Sequence, residues 1–299
     1  MIAVSKDNPI PSTAGVWRLF RDFGLPGPEN MALDEALLDS VIDGGQTAVR
    51  FYTWQPFTLS LGVNQASGEI NPEECLRRGF GIVRRITGGR AVLHQHELTY
   101  SVIAPEQDPR VSGGVIESYR KISEALVRGL RSLGADVALS EPNRALVRAM
   151  ADARRYRDLG ELEESSHGAV CFDTASAYEI SVGGRKLVGS AQARRGGVIL
   201  QHGSILLDVD WDAWASVFAY ASDRGRERAL EKLPQRMTSL RQVLGRSVQP
   251  EEVAAALQSS FGEVFGTMEP GAVLSPGEKD TAALLTAGKY SSNAWTFRT

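Results

Sequence analysis

The chain has 299 residues, 42% of them hydrophobic, enough to bury a sizeable core as one large domain or two ordinary ones. Lys and Arg number 33 against 36 Asp and Glu, a formal charge of −3, which argues against a general basic surface for nucleic acid. No charged-then-apolar leader opens the chain and no run approaches the ~18 apolar residues of a membrane helix. The expectation is a cytoplasmic protein without nucleic-acid or membrane partners.

Past a polar N-terminus, WRLFRDFG (17–24) alternates as a strand, and Pro28, Glu29 and Asn30 lead into an apolar-spaced helix stopped by Gly44 and Gly45. RFYTWQPFTLSLG (50–62) reads as two strands bent around Pro56. INPEECLRRGF (70–80) reads as a short helix capped by Asn71, with Pro72 in its first turn and Cys75 as a small interior side chain. The stretch 80–86 is a strand, Thr87-Gly88-Gly89 a turn, and 91–104 a second long strand returning from it. Helical periodicity then covers 116–134. From 141 to 168 the composition turns Arg/Glu-rich with weak periodicity, as in a surface connection. Three strand-like segments between 176 and 209, separated by Gly183-Gly184 and Gly196-Gly197, give the strongest hairpin signal. Helices follow near 211–221, 250–266 and 274–290. The tail from about 246 is short for a core of its own, so 1–299 reads as a single domain, with 246–299 a helical segment packed on a core of about 12–245.

Three patterns carry possible chemistry. Gly88 and Gly89 are either a hairpin turn or a place where backbone approaches a ligand, and Arg84, Arg85 and Arg90 around them would suit a phosphate, a phosphopantetheine arm or an acidic partner. His94 and His96 would share one face of the long strand, but His167 and His202 are distant in sequence, and Cys75 and Cys171 form no CxxC or zinc spacing. No metal site is expected. The Gly183-Gly184 loop would set Ser181 opposite Lys186, on a strand edge. Cys171, at an apolar-to-polar junction, is either structural or, with an ammonium near it, half of an acyl-transfer pair.

NMALDEALL (30–38), RFYTWQPFTLSLG (50–62), RRITGGRAVLHQHELTYSV (84–102), CFDTASAYEI (171–180) and GRKLVGSAQARRGGVILQHGSILLD (184–208) together resemble the LipM-type octanoyltransferases of lipoate assembly, relatives of lipoate- and biotin-protein ligases. The resemblance spans nearly the whole chain. It implies an α+β fold of that catalytic-domain type, with a mixed, largely antiparallel sheet flanked by helices. It also implies an acyltransferase that moves octanoyl from an acyl carrier protein to a lysine of a lipoyl domain, such as the glycine cleavage H protein. Cys171 would match the acyl-accepting cysteine and Lys186 the motif lysine. Arg85, Thr87, Gly88, Gly89, Arg90, His94, Gly189, Ser190, Ala191 and His202 would fall on the substrate side, the arginines receiving an acidic carrier. No cofactor would be needed, neither ATP nor metal, because the donor thioester already stores the activation. Two positions depart from the pattern: Thr174-Ala175-Ser176 where the family has a Pro-Ser pair, and Gln95 where ligases carry an acid. The alternatives are an ATP-dependent lipoate-protein ligase, a lipoyl-domain octanoyl amidotransferase, and an acyl- or lipoyl-domain-binding protein that has lost catalysis.

Overall fold

A computed structural model of the protein describes residues 15–139 and 179–298; Cys171 and the 141–168 connection lie outside them. Two sheets form the frame. In the larger, the strands run in the order β11 (Met268–Pro270), β1 (Trp17–Leu25), β2 (Ala48–Trp54), β6 (Glu97–Pro105), β10 (Val198–Leu206), β9 (Arg185–Arg195), β8 (Ile180–Val182) and β7 (Ala138–Leu139). The β11–β1 and β1–β2 pairs are parallel and every other neighbour is antiparallel. The smaller sheet has β3 (Thr58–Leu61) between β4 (Gly81–Arg84), parallel to it, and β5 (Val92–His94), antiparallel.

Side chains on a strand alternate between faces, and β6 shows how that divides the core. Leu98, Tyr100 and Val102 meet Ile122, Leu126 and Leu130 of α3 (Val115–Ser132) and Val253, Leu257 and Phe261 of the helix Pro250–Phe265. Ile103, on the opposite face, joins Leu37, Leu38 and Val41 of α1 (Gly27–Ile42). The small sheet builds a separate cluster with Trp214 and Phe218. Helix α2 (Pro72–Arg77) is capped by the Asn71 side chain, which accepts from Glu74 N, and encloses Cys75. Burial, with Glu74 beside it, pushes that thiol up to about 12, so it stays protonated and inert. After β10 come α4 (Trp211–Ser216), α5 (Asp223–Arg236), α6 (Leu240–Leu244), α7 (the Pro250–Phe265 helix), α8 (Pro276–Leu285) and α9 (Asn293–Thr296). No helix among the described residues is long and apolar enough to cross a membrane.

Two sequence expectations are corrected. The long strand at 91–104 is two strands in different sheets, broken at Gln95-His96, where His96 takes a left-handed φ of 47°; His94 and His96 therefore do not share a strand face. The Thr87-Gly88-Gly89 turn closes no hairpin either, since β4 and β5 both pair with β3 and not with each other. In addition, α5 and α6 form in a stretch, 223–244, where the sequence shows no clear helical pattern. In α5 the one buried side chain is Leu233, with Pro234 next to it, so the helix carries almost no apolar stripe to detect.

Candidate active site

The site lies where α1, the Thr87-Gly88-Gly89 loop and the central strands β6, β10 and β9 converge. A narrow cavity of about 30 Å³ there is lined by Met31, Trp54 and Val92 and by the polar residues Arg85, His94 and His202. Gly189, Ser190 and Ala191 of β9 complete its wall. Seven residues that the sequence placed on the substrate side thus belong to one neighbourhood: six line the cavity, and Thr87 reaches it through His202.

Glycine is required where this wall is tightest. A Cβ on Gly203 would stand 2.6 Å from Gly189 O and 2.7 Å from the Tyr100 ring, and one on Gly62 would fall 1.9 Å from Gly89 O. The loop is therefore clamped directly on the end of β3, where Val63 N donates to Thr87 O at 2.8 Å. Gly89 itself takes a φ of 90°, which favours glycine, whereas the Cβ position of Gly88 faces open space.

Arg85 holds the loop from inside. Its guanidinium donates to Thr87 Oγ1 (3.1 Å), Ser60 O (3.0 Å), Gly88 O (2.7 Å) and Arg90 O (2.8 Å). Arg84 is fully buried and donates to Gly62 O, Gln65 O, Thr296 O and Arg298 O. Arg90 pairs with the Glu69 carboxylate at 2.6 Å. The expectation that these arginines receive an acidic carrier is corrected for Arg84 and Arg85: their donors are turned inward, onto carbonyls that would otherwise be buried unsatisfied.

Sequence reasoning missed what stands behind His202. Its Nδ1 lies 3.0 Å from Asp34 Oδ2 and its Nε2 2.6 Å from Thr87 Oγ1. Asp34 also accepts from Arg50 Nη1 (2.5 Å), Tyr52 Oη (2.9 Å) and Ser101 Oγ (3.0 Å). Burial by itself would raise this carboxyl; Arg50 and His202, with Tyr52, outweigh it and hold Asp34 below its usual value. An ionised Asp34 makes Nδ1 the protonated nitrogen of His202 and leaves Nε2 to accept from Thr87. A charged residue in the buried stripe of α1 was the available signal, since an aspartate there requires a partner.

His94 differs. It stacks on Trp54 with ring centroids 3.9 Å apart, and its Nε2 lies 2.8 Å from Ser60 Oγ. Its Nδ1 is buried without a hydrogen-bond partner and stands 3.5 Å from Glu97 Oε1, too long for a strong bond. Burial pushes the ring below its ordinary value, with Glu97 opposing. Trp54 and His94 also line a second, open cavity of about 370 Å³, whose floor includes Glu97 and whose rim includes Asp208 and Arg241.

Lys186 is buried on β9, opposite Ser181 as the two-glycine loop requires. It is not on an open edge: a parallel bridge to Met237 covers its other side. Its Nζ donates to Glu179 Oε1 at 2.6 Å. No group of three or more His, Cys, Asp or Glu positioned to hold a metal occurs among the described residues.

The sequence pattern of the lipoyl protein ligase A/B catalytic domain matches residues 26–262. Octanoyltransferase LipM of Kyrpidia tusciae is 44% identical over 285 residues, covering 94% of this chain and 98% of that protein. Octanoyltransferase LipM of Bacillus subtilis is 40% identical over 288 residues, covering 94% and 98%. The fold is shared with the bi-partite lipoate protein ligase of Thermoplasma acidophilum, at a TM-score of 0.74 and 24% identity over 94% of this chain and 96% of that one. It is shared too with a lipoate-protein ligase A bound with ATP, at a TM-score of 0.70 and 25% identity over 95% and 98%.

Proposed function

This chain belongs to the lipoyl protein ligase A/B catalytic-domain family and, within it, to the LipM-type octanoyltransferases, acyltransferases of protein lipoylation; from that premise we propose how it carries the octanoyl group. The donor is the phosphopantetheine thioester of an acyl carrier protein. The carrier on the enzyme is Cys171, and the acceptor is a lysine of a lipoyl domain such as the glycine cleavage H protein.

In the first step the Cys171 thiolate attacks the thioester carbonyl carbon. A new C–S bond forms, the bond to pantetheine sulfur breaks, and the departing thiolate takes the proton that Cys171 gave up to Lys186. In the second step the acceptor's amine attacks the acyl-enzyme, the C–N bond forms, and Cys171 leaves as thiolate while Lys186 takes the amine's proton. One thioester replaces another and then yields an amide, so neither ATP nor a metal is needed. The octanoyl chain lies along the cavity under Trp54, where each buried methylene contributes about 0.8 kcal/mol. Met31, unbranched and adaptable, is the wall that yields to it. The Asp34–His202–Thr87 chain keeps the Gly88 backbone in place above the acyl group.

The observation that carries this reading is the placement of Lys186. It is buried and oriented by Glu179, on the same strand that three residues later lines the cavity with Gly189, Ser190 and Ala191. Intact-mass analysis after mixing with octanoyl carrier protein and no ATP tests it. Wild type gains one octanoyl group that a lipoyl domain discharges, Cys171→Ala gains none, and Lys186→Ala gains it roughly 10²-fold or more slowly, the usual contribution of a general base. No adduct without ATP, but acceptor modification with ATP and free octanoate, would make the protein a ligase like its ATP-bound structural neighbour.

A further inference from the structure

We infer that the open cavity of about 370 Å³ beside Trp54 and His94 is the port of the acceptor's lysine, with the Glu97 carboxylate as the anchor of its ammonium group. The inference rests on the reading that the acyl group ends on a lysine amine.

Among the described residues lining this cavity, Glu97 is the charge left unmatched. It is 4% exposed and accepts from the Thr99 hydroxyl at 2.8 and 3.0 Å. His94 Nδ1 stands 3.5 Å from it, a charged partner only when the ring is protonated, and among the described residues no Lys or Arg pairs with it. A buried carboxylate so thinly satisfied is costly unless a cation completes it. The other carboxylate at the cavity, Asp208, already has one, Arg241 Nη1 at 2.7 Å. His94 Nδ1, buried and without a hydrogen-bond partner, stands beside the same carboxylate. Two incomplete polar groups therefore meet at the cavity floor.

The backbone is bent to put them there. His96 holds a left-handed φ of 47°, sparsely populated for a residue with a Cβ. Its carbonyl accepts from both Leu207 N and Asp208 N, which keeps the bend in place. The kink ends β5 and begins β6 at Glu97, which stands in the cavity lining with its carboxylate just beneath the surface.

Position and lining also suit a lysine. The walls that would follow its aliphatic stem include Trp54, Phe57, Leu207 and Val248. The cavity lies at the same end of the large sheet as Lys186. Arg241 and Leu207 line it, Arg241 N donates to Leu207 O, and Thr238 N three residues earlier donates to Lys186 O. An anionic phosphopantetheine arm would meet an uncompensated carboxylate by this route, whereas a primary ammonium would be drawn in.

A double-mutant cycle read by calorimetric titration tests the port without any acyl chemistry. The enzyme partners are wild type and Glu97→Gln, which keeps the shape and an acceptor for Thr99. The domain partners are a lipoyl domain and the same domain with its acceptor lysine changed to methionine. We expect Glu97→Gln to weaken binding of the lysine domain at least tenfold and of the methionine domain less than twofold. Equal weakening of both, or none, would overturn the assignment. Ser247→Trp, at the exposed rim, serves as the second variant. It should raise the KM for the lipoyl domain severalfold and leave the rate of octanoyl loading unchanged, and an unchanged KM would also count against the port. Absence of any acyl-enzyme on wild type would sink the Cys171 mechanism while the binding cycle still decides the cavity.

Discussion

His202 and His94 both line the narrow cavity and both are buried, yet the protein treats them in opposite ways. His202 has each ring nitrogen engaged and a charged network behind it in which Asp34 and Arg50 satisfy each other. His94 has one nitrogen engaged, an aromatic stack, and a carboxylate 3.5 Å away that also wants a partner. The first arrangement holds a loop in one geometry; the second leaves binding capacity unused. A saturated buried network rigidifies, and an unsaturated one is a place to look for substrate.

The sharpest way to break this contrast is Arg50→Met. It strands Asp34 as a buried charge and should cost about 3–5 kcal/mol, measured by urea unfolding; a change near zero would mean that the His202 side is not held by that ion pair. Next is Gly62→Ala. The added Cβ collides with the Gly89 carbonyl, so the loop must move, at about 1–3 kcal/mol for the overpacking, with a large fall in kcat/KM for octanoyl transfer. Thr87→Val removes a donor to His202 and an acceptor for Arg85 and should cost about 1–3 kcal/mol. His94→Phe, which keeps the volume and the stack on Trp54, should cost under about 1.5 kcal/mol. If His94→Phe proved the more destabilising of the two, the contrast drawn above would be reversed.

The smallest effect concerns pH. Burial keeps His94 below the ordinary histidine value of about 6.5, Glu97 opposing and Arg85 assisting. The unfolded chain takes up a proton as pH falls through about 6.5, whereas the folded ring resists it. Stability from this group is therefore complete above that pH and is lost progressively below it. Unfolding free energies between pH 7.5 and 5.5 should fall less steeply for His94→Phe than for wild type.

The sequence was most legible where local chemistry decides. The Gly-Gly pairs at 183–184 and 196–197 punctuate β8, β9 and β10, and the Ser181–Lys186 register follows from the two-residue loop. It misled where a pattern persists across a break: alternation continues through HQHELTYS although His96 turns the chain from one sheet into the other. The pairing of β4 with β3 rather than β5 could not be read from neighbours in sequence. Asp34 was visible as part of a motif but not as the partner of His202, because that bond spans 168 residues. Arg84 and Arg85 looked available because an arginine beside a glycine turn gives no sign of which carbonyls will claim it.

The nine-residue ladder between β6 and β10 runs from Val198↔Pro105 to Leu206↔Glu97, and it carries Thr99, Ser101, His202 and Ser204 to one place. Its two strands are about a hundred residues apart in the chain, the kind of distant pairing that slows folding. During synthesis, then, no growing chain that stops short of residue 206 can hold the complete ladder or the cavity wall built on it.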